Sequence, residues 1–248
     1  MVASNAGGSV TSTVAQVTVA VPDIARYRSV VQADPSIISY YPLDTNVNDV
    51  ISTNHGTMIG SPTFTSGLGG LGALYLDGGF AAVTFGIVPA FDMLDASGTF
   101  EAWIRPEWDP AAMTYNPAIA ANEDTQKYFR IRLTAAKTGI QVDSANVGAQ
   151  AIANAGTNWH HLAVVFDSAF YSLYWDGQPV ATNVFSPLYS IPPQPTQLGS
   201  ILPTGTDLWL GRMDEVAYRT VGIRLLLAGA PRGRPGLRLQ WQVSSGLI

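Results

Sequence analysis

The sequence predicts an all-β protein, a sandwich of antiparallel sheets, on three observations. Short strand-like segments recur along most of the chain, turn-forming residues separate them, and no long helical period interrupts them. The clearest case is Asn158-Trp159-His160-His161-Leu162-Ala163-Val164-Val165-Phe166-Asp167, followed by Leu173-Tyr174-Trp175-Asp176-Gly177-Gln178-Pro179-Val180. These read as two strands of a hairpin, the second closing in an Asp-Gly turn. Glycine supplies the positive φ that such a turn needs and aspartate tolerates it. Composition agrees: charged residues make up 12% of the chain, and 24 glycines accompany abundant Ser, Thr and Asn. Low charge with many small polar residues suits turn-rich β surfaces better than a helical bundle.

Taken in order, residues 1–20 read as a turn, Asn5-Ala6-Gly7-Gly8, and a loosely alternating strand from Val10 to Val19. Residues 21–35 form a linker bounded by Pro22 and Pro35. Ile24, Tyr27, Val30 and Val31 lie at helical spacing within it, so a short helix is expected to end near Ala33, because the residue before a proline is biased away from helix. From residue 36 to 219 the text is strand and turn. The strand candidates are Ser39–Pro42, Ala73–Leu76, Ala82–Phe85, Thr99–Arg105, Tyr128–Leu133, Ile140–Asp143, His160–Phe166, Tyr171–Trp175 and Leu208–Tyr218. Asp77-Gly78-Gly79, Ser97-Gly98, Lys137-Thr138-Gly139, Asp176-Gly177 and Pro203-Thr204-Gly205 punctuate them.

Several function classes find no support. The formal net charge of -5 gives no electrostatic basis for general nucleic-acid binding. The chain has no cysteine, which removes disulfides, thiolate metal sites and cysteine nucleophiles. No segment approaches the ~20 apolar residues of a membrane span. The run Val17–Val21 is too short and lacks the basic flank of a signal peptide, so a secreted protein is expected to be longer than this chain. Gly67-Leu68-Gly69-Gly70-Leu71-Gly72 is glycine-rich but precedes a strand rather than opening a helix, unlike a phosphate loop.

From Tyr27 to Tyr218 a series of phrases stands in a fixed order: Tyr40-Tyr41-Pro42-Leu43-Asp44, Asn54-His55-Gly56-Thr57, Ala73-Leu74-Tyr75-Leu76-Asp77-Gly78, Ser97-Gly98-Thr99-Phe100-Glu101-Ala102-Trp103-Ile104-Arg105-Pro106, the Trp-His-His hairpin, and Leu208-Trp209-Leu210-Gly211-Arg212-Met213-Asp214-Glu215-Val216-Ala217-Tyr218. Together they resemble the laminin-G-like domains of the concanavalin A-like lectin/glucanase superfamily. The resemblance implies a jelly-roll sandwich of two antiparallel sheets, at home in multidomain secreted or surface proteins directed at carbohydrate or adhesion. Some members hold calcium at the rim. Residues 1–20, through Ser4-Asn5-Ala6-Gly7-Gly8-Ser9 and Ala15-Gln16-Val17-Thr18-Val19, resemble the closing strands of an immunoglobulin-like domain, of which only a remnant is present.

Residue readings follow. In Thr99–Arg105, alternation puts Phe100, Ala102 and Ile104 on one face and Glu101, Trp103 and Arg105 on the other, so both faces are expected to be covered. Trp103, Trp159, Trp175 and Trp209 therefore read as packing residues. Trp108 and Tyr115 differ, because they sit in the irregular stretch Pro106–Pro117. They are the candidate ligand-binding aromatics, whose faces match the C–H patches of a sugar ring, or else loop anchors folded back on the sheet. Asp44, Asp49 and Asp214 are the candidate metal ligands, for a calcium ion at the rim where the first and last strands would meet. The alternative for them is turn and capping chemistry. His160 and His161 adjoin on a strand and point apart, which argues against a shared metal. Glycosidases generally need two carboxylates flanking the scissile bond, roughly 5–10 Å apart. The Glu-x-Asp-x-x-Glu strand of concanavalin A-like glucanases is absent, leaving Glu101, Glu107 and Asp109 as the nearest approach, while Asp214 and Glu215 adjoin and so should face apart.

The tail, 220–248, departs from the family. It carries Arg224, Arg232, Arg234 and Arg238, no acid, and the run Pro231-Arg232-Gly233-Arg234-Pro235-Gly236. Such text reads as a shifted frame beginning near Thr220, or as a basic linker. The sequence as a whole points to a non-catalytic extracellular or cell-surface binding module. Its expected partners are a glycan or glycoprotein and neighbouring domains of the same longer chain, with no nucleic acid and no membrane insertion. The alternatives are an adhesion spacer without a small ligand and, further off, a glycoside hydrolase.

Overall fold

The computed structural model describes residues 2–5, 8–11, 23–92, 97–123, 128–143, 149–166, 170–184, 195–201 and 205–220. Within them, β1 (Val2–Asn5) and β2 (Gly8–Thr11) form a two-stranded antiparallel pair, with Asn5 opposite Gly8. The strand expected beyond Val10 lies outside the described residues past Thr11, as does the tail from 221 to 248.

Two antiparallel sheets follow. The eight-stranded sheet contains β3 (Ile37–Tyr41), β5 (Thr63–Ser66), β6 (Gly72–Asp77), β8 (Gly98–Pro106), β13 (His160–Phe166), β14 (Phe170–Trp175), β15 (Gln178–Val184) and β17 (Leu210–Arg219). The seven-stranded sheet contains β4 (Thr57–Ile59), β7 (Ala82–Thr84), β9 (Ala118–Glu123), β10 (Tyr128–Leu133), β11 (Gly139–Asp143), β12 (Gln150–Ala151) and β16 (Thr196–Leu198). Consecutive hairpins alternate with neighbours distant in sequence, in the order β15-β14-β13-β8-β17-β6-β5 and β12-β11-β10-β9-β16-β7-β4, with β3 added to β17. This is the jelly-roll sandwich. The inward side chains of both sheets interdigitate in one core that includes Phe100, Ile104, Ile131, Val164, Leu173 and Trp209.

The predicted turn chemistry is present. Asp176 (φ 48°) and Gly177 (φ 74°) both have left-handed backbones, the requirement of a two-residue hairpin loop, and join β14 to β15 with Trp175 opposite Gln178. Strand β8 alternates as expected: Phe100, Ala102 and Ile104 enter the core, while Glu101 and Trp103 lie on the outer face. Each strand candidate between residues 36 and 219 overlaps an observed strand.

Strand β17 organises the eight-stranded sheet. It pairs with β8 along one edge and with β6 and then β3 along the other. Opposite β8 its register slips between Asp214 and Ala217, and Glu215 has φ 53°. This is a β-bulge, and the extra residue breaks the period of two. Met213 and Val216 both enter the core, so Asp214 and Glu215 both remain on the outer face. Strict alternation across Asp214-Glu215 therefore does not hold, and the two acids share a side.

The linker helix covers them. Helix α1 (Ile24–Ala33) starts at Asp23, whose carboxylate accepts from the Arg26 N–H at 3.0 Å, and stops before Pro35. It buries Ile24 and Val31, with Val31 and Tyr27 packed beside Tyr40 and Ala217. Val30, placed on the apolar stripe by spacing, is 64% exposed. Arg28 takes the inward position instead. Its guanidinium meets Asp44 through Nη1–Oδ2 and Nη2–Oδ1, each 2.8 Å, and Glu215 Oε1 through Nε at 2.7 Å. The Tyr40 hydroxyl donates to the other Glu215 oxygen. Glu215 has no exposure to solvent, so this pairing decides whether the bulge can be buried at all.

Residues 23–34 thus pack as part of the sandwich rather than as a free linker. Arg28→Ala is expected to lower unfolding free energy by about 3 kcal/mol, the cost of stranding a buried partner. Urea denaturation checks this; a loss below about 1 kcal/mol would mean that Glu215 finds water or protonates at no cost.

Candidate functional site

Each outer face of the sandwich carries a polar cluster. On the eight-stranded sheet the cluster is sealed. Tyr27 stands edge-on to Trp103 and His161, with centroids 6.3 and 6.2 Å away. Its hydroxyl lies 3.4 Å from Glu101 Oε1, which also accepts from Arg219. Arg219 reaches Asp34 as well. Burial and the neighbouring Glu101 and Glu215 carboxylates hold the Tyr27 phenol well above its ordinary value. Glu101, one of the acids nearest to a glycosidase arrangement, is therefore buried in an ion pair under the helix. Glu107 pairs with Arg105 and Arg212, and Asp109 accepts from Ala111 N–H in its own turn. The two histidines diverge: His160 hydrogen-bonds Asp176 and the Ala155 carbonyl and stacks on Trp175, while His161 lies between Trp103 and Tyr27.

The three candidate metal ligands fall near this sealed face. Asp44 is held by Arg28 on both oxygens. Asp49 is consumed locally: Oδ1 accepts from Tyr40 and Ile51 N–H, and Oδ2 from the Ser52 hydroxyl. Asp214 accepts from Leu68 N–H at 3.0 Å, and its other oxygen is buried with no hydrogen-bond partner. The glycine-rich turn at 67–72 thus contributes one N–H to this carboxylate. Burial first, and then the Asp44 charge, push Asp214 up to about 7 against the pull of Leu68 N–H, while burial pushes Glu215 up to about 6 against Arg28. Calcium takes about six to eight oxygens, charged carboxylates among them. Among the described residues no three or more His, Asp or Glu side chains are grouped to hold a metal. The positive charge at Asp44 is supplied by Arg28, and Asp49 serves turn chemistry, so this donor set does not fit the ion.

The outer face of the seven-stranded sheet is different. A bulge between β9 and β10 turns Ile119 and Ala120 together into the core and leaves Ala118 and Ala121 outside, against Ile201. On β10 and β11, Ile131, Leu133, Ile140 and Val142 point inward, so Arg132 and Gln141 point out. Arg132 Nη1 donates to Asp207 Oδ2 at 2.8 Å. Asp207 is held in a left-handed conformation, φ 52°, and its carbonyl accepts from Ala118 N–H at 2.7 Å. Asn116 bridges the same region, donating to Gln141 Oε1 at 3.0 Å and accepting from Ala135 N–H.

The two candidate aromatics separate here. Trp108 is 3% exposed, donates its indole N–H to the Ala135 carbonyl at 2.9 Å, and meets Trp209 edge-on at 5.0 Å. Lys137 sits 5.1 Å above its ring. A ring so enclosed offers no face to a ligand; Trp108 is the anchor that fastens 106–117 to the core. Tyr115, seven residues further along that loop, remains half-exposed. Its chain neighbour Asn116 bonds Gln141, which stands opposite Arg132 in the register, so the loop brings Tyr115 into the region of the ion pair. Burial and then the Asp207 carboxylate raise its phenol above the ordinary value. The sequence pointed to Tyr115 but not to Arg132, Gln141 or Asp207. Alternation in Tyr128–Leu133 exposes Arg132, but nothing local shows that residue 207 comes to meet it.

A two-sheet antiparallel jelly roll is the architecture of the concanavalin A-like domains. The chain belongs to the concanavalin A-like lectin/glucanases superfamily, whose family model matches residues 77–219, more than half of the chain. Among solved structures it is similar to domain 4 of AbnA, a GH43 extracellular arabinanase from Geobacillus stearothermophilus in complex with arabinotriose. That likeness has 16% identity and a TM-score of 0.57, covering 75% of this chain and 93% of that one. It is also similar to the binding domain of Paraclostridial Mosquitocidal Protein 1, with 10% identity, a TM-score of 0.58, and 76% and 50% covered. A third, the sialidase of Trypanosoma rangeli in complex with sialic acid, has 10% identity, a TM-score of 0.61, and 78% and 32% covered. The chain thus spans half of the toxin binding domain and about a third of the sialidase. Identities this low establish the shared fold. No curated protein sequence matches the chain. Among the described residues no helix is long and apolar enough to cross a membrane.

Two outcomes are expected at the sealed face. Asp214 titrates higher in the folded chain than the ordinary ~3.9 of an aspartate, so the folded state binds its proton more tightly. Stability therefore declines as pH rises from about 4 to about 7 and is unaffected by this group above that window. Denaturation across pH should show that slope, flattened in Asp214→Asn; an unchanged slope would assign it elsewhere. Calcium or a chelator should leave the melting temperature unmoved. A calcium-dependent rise erased by Asp44→Ala would restore the metal reading.

Proposed function

We propose that this domain is a non-catalytic, extracellular binding module for carbohydrate or a surface glycoprotein, carried in a longer multidomain secreted or surface protein. The half-exposed ring of Tyr115, next in the chain to Asn116, which bonds Gln141 opposite Arg132, is the observation that carries the reading. An aromatic face takes the C–H patches of a sugar ring, and planar charged or amide groups take its hydroxyls through charge-assisted hydrogen bonds. The similar proteins support it: one is an arabinanase domain in complex with arabinotriose, another a toxin binding domain.

Among the described residues, the acids of the eight-stranded sheet are engaged with partners of their own. Glu101 is 4% exposed and bonded to Arg219, and Asp214 and Glu215 lie beneath α1 and its neighbouring turn. Attack on a glycosidic bond needs two carboxylates that reach the substrate from opposite sides.

A glycan array with the intact protein tests the proposal. Tyr115→Ala should change unfolding free energy by less than roughly 1 kcal/mol yet weaken binding at least tenfold, about 1.4 kcal/mol. Trp108→Ala should instead cost about 3–5 kcal/mol of stability. Binding that survives Tyr115→Ala unchanged would move the site elsewhere. Hydrolysis of a polysaccharide, abolished by Glu101→Gln or Glu107→Gln, would replace the binding reading with an enzymatic one.

A further inference from the structure

Two arginines stand face to face on the eight-stranded sheet, at the end of β8 where the 106–117 loop leaves it. Arg105 on β8 and Arg212 on β17 are directly opposite in the register, and Tyr75 of β6 is opposite Arg212 in turn. Ile104, Met213, Leu74 and Leu76 enter the core, so all three side chains lie on the outer face. Like charges set opposite one another across a strand pair are destabilising. A single carboxylate lies against both: Glu107 Oε1 is 3.3 Å from Arg105 Nε and 3.0 Å from Arg212 Nε. Neither that oxygen nor Arg212 Nε completes a hydrogen bond. Backbone carbonyls hold the two guanidinium groups. Arg105 Nε donates to Thr157 at 2.9 Å and Arg212 Nη1 to Ser66 at 2.7 Å. Among the described residues nothing bonds to either Nη of Arg105 or to Nη2 of Arg212. The two side chains keep 33% and 22% exposure, so the pair is within reach of solvent. Asp77 and Asp109 nearby in the chain serve their own turns, accepting from Gly79 and Ala111 N–H. The row itself therefore sets two guanidinium groups against one carboxylate.

Resting on the reading of the domain as a carbohydrate-binding module, but not on Tyr115, we propose that Arg105 and Arg212 form a second subsite, for the carboxylate of a uronic acid. The carboxylate accepts from the Nη groups of both arginines and supplies the negative charge that Glu107 alone does not. A guanidinium presents its donors in a planar fork that matches the two oxygens of a carboxylate. Both arginines are fixed on backbone carbonyls before any ligand arrives, so little side-chain entropy is lost on binding. Tyr75, half-exposed in the same row, offers its ring to the C–H face of the sugar. A sulfate ester carries the same charge but is the weaker base, and so the weaker acceptor. The formal net charge of -5 gives an anion no long-range attraction, so its affinity comes from these contacts.

Titration calorimetry on the intact chain tests this with three matched oligosaccharides: a neutral one, its uronate counterpart and its sulfated counterpart. In Tyr115→Ala the uronate should still bind, at least about tenfold more tightly than the neutral probe. Arg105→Gln and Arg212→Gln should each lose about tenfold or more toward the uronate while leaving neutral binding unchanged. Either variant serves if the other does not fold. Glu107→Gln removes the competing negative charge and should bind the uronate about threefold or more tightly than wild type. A merely structural role for Glu107 gives no such gain. Uronate binding that is no tighter than neutral binding in Tyr115→Ala, or that both arginine variants leave unmoved, overturns the inference. A sulfated probe that binds more tightly than the uronate overturns the carboxylate assignment. Neutral binding alone, lost in Tyr115→Ala, overturns this subsite and leaves the carbohydrate reading standing. An intact protein that binds none of the three, and no glycan on the array, overturns both.

Discussion

Two adjacent carboxylates, Asp214 and Glu215, sit at zero exposure on the central strand of the larger sheet, and the arrangement around them depends on meeting that cost. A buried unpaired carboxylate is prohibitive; a buried pair with full hydrogen bonding is tolerable. The bulge at Glu215 turns both acids outward, and Arg28 from α1 binds Glu215 together with Asp44. Helix α1 is thereby committed to one place, and through Val31 and Tyr27 it closes over Tyr40 and Ala217. The first helix and the last strand, 187 residues apart at the Arg28–Glu215 contact, are locked together by charge rather than by apolar area alone.

That commitment divides the molecule. The outer face of the eight-stranded sheet is covered by α1: Tyr27 stands edge-on to Trp103 and bonds Glu101, which also accepts from Arg219. The opposite outer face keeps polar groups within reach of solvent, arranged by elements that are themselves rigid. Trp108 illustrates the relation. Its indole is fixed to Ala135 and Trp209, so the loop that bears Tyr115 is held at its root. A recognition residue on a loop anchored this way loses less entropy on binding than one on a free loop.

The same physics explains why the acids near the rim read as a calcium site on paper and as a clasp in three dimensions. Aspartates in turn phrases are ambiguous, since a carboxylate serves a metal, an arginine or a backbone N–H equally well. Which of these it serves depends on what else arrives. Arg28 arrives at Asp44, Leu68 N–H at Asp214, and Tyr40 and Ile51 N–H at Asp49.

Local text determined the class of this protein and most of its strands, because alternation, apolar runs and turn residues act over two to eight residues. The Asp176-Gly177 turn and the two faces of β8 were legible for that reason. Short strands such as β4, β12 and β16 were not, since two or three residues hold too little of a period unless, as at β7, they sit in an apolar run. Strand β9 was hidden by its alanine-rich wording, and β15 by Pro179 in its interior. The bulges at Glu215 and Ile119 shifted single side chains across the sheet in ways no alternation rule anticipates. Tertiary structure alone buried Trp108 while leaving Tyr115 out, and it alone joined Arg132 to Asp207 across 75 positions. Contacts of that span are decided by how two sheets close on one core, and a sequence read locally holds no record of which distant residue will stand opposite.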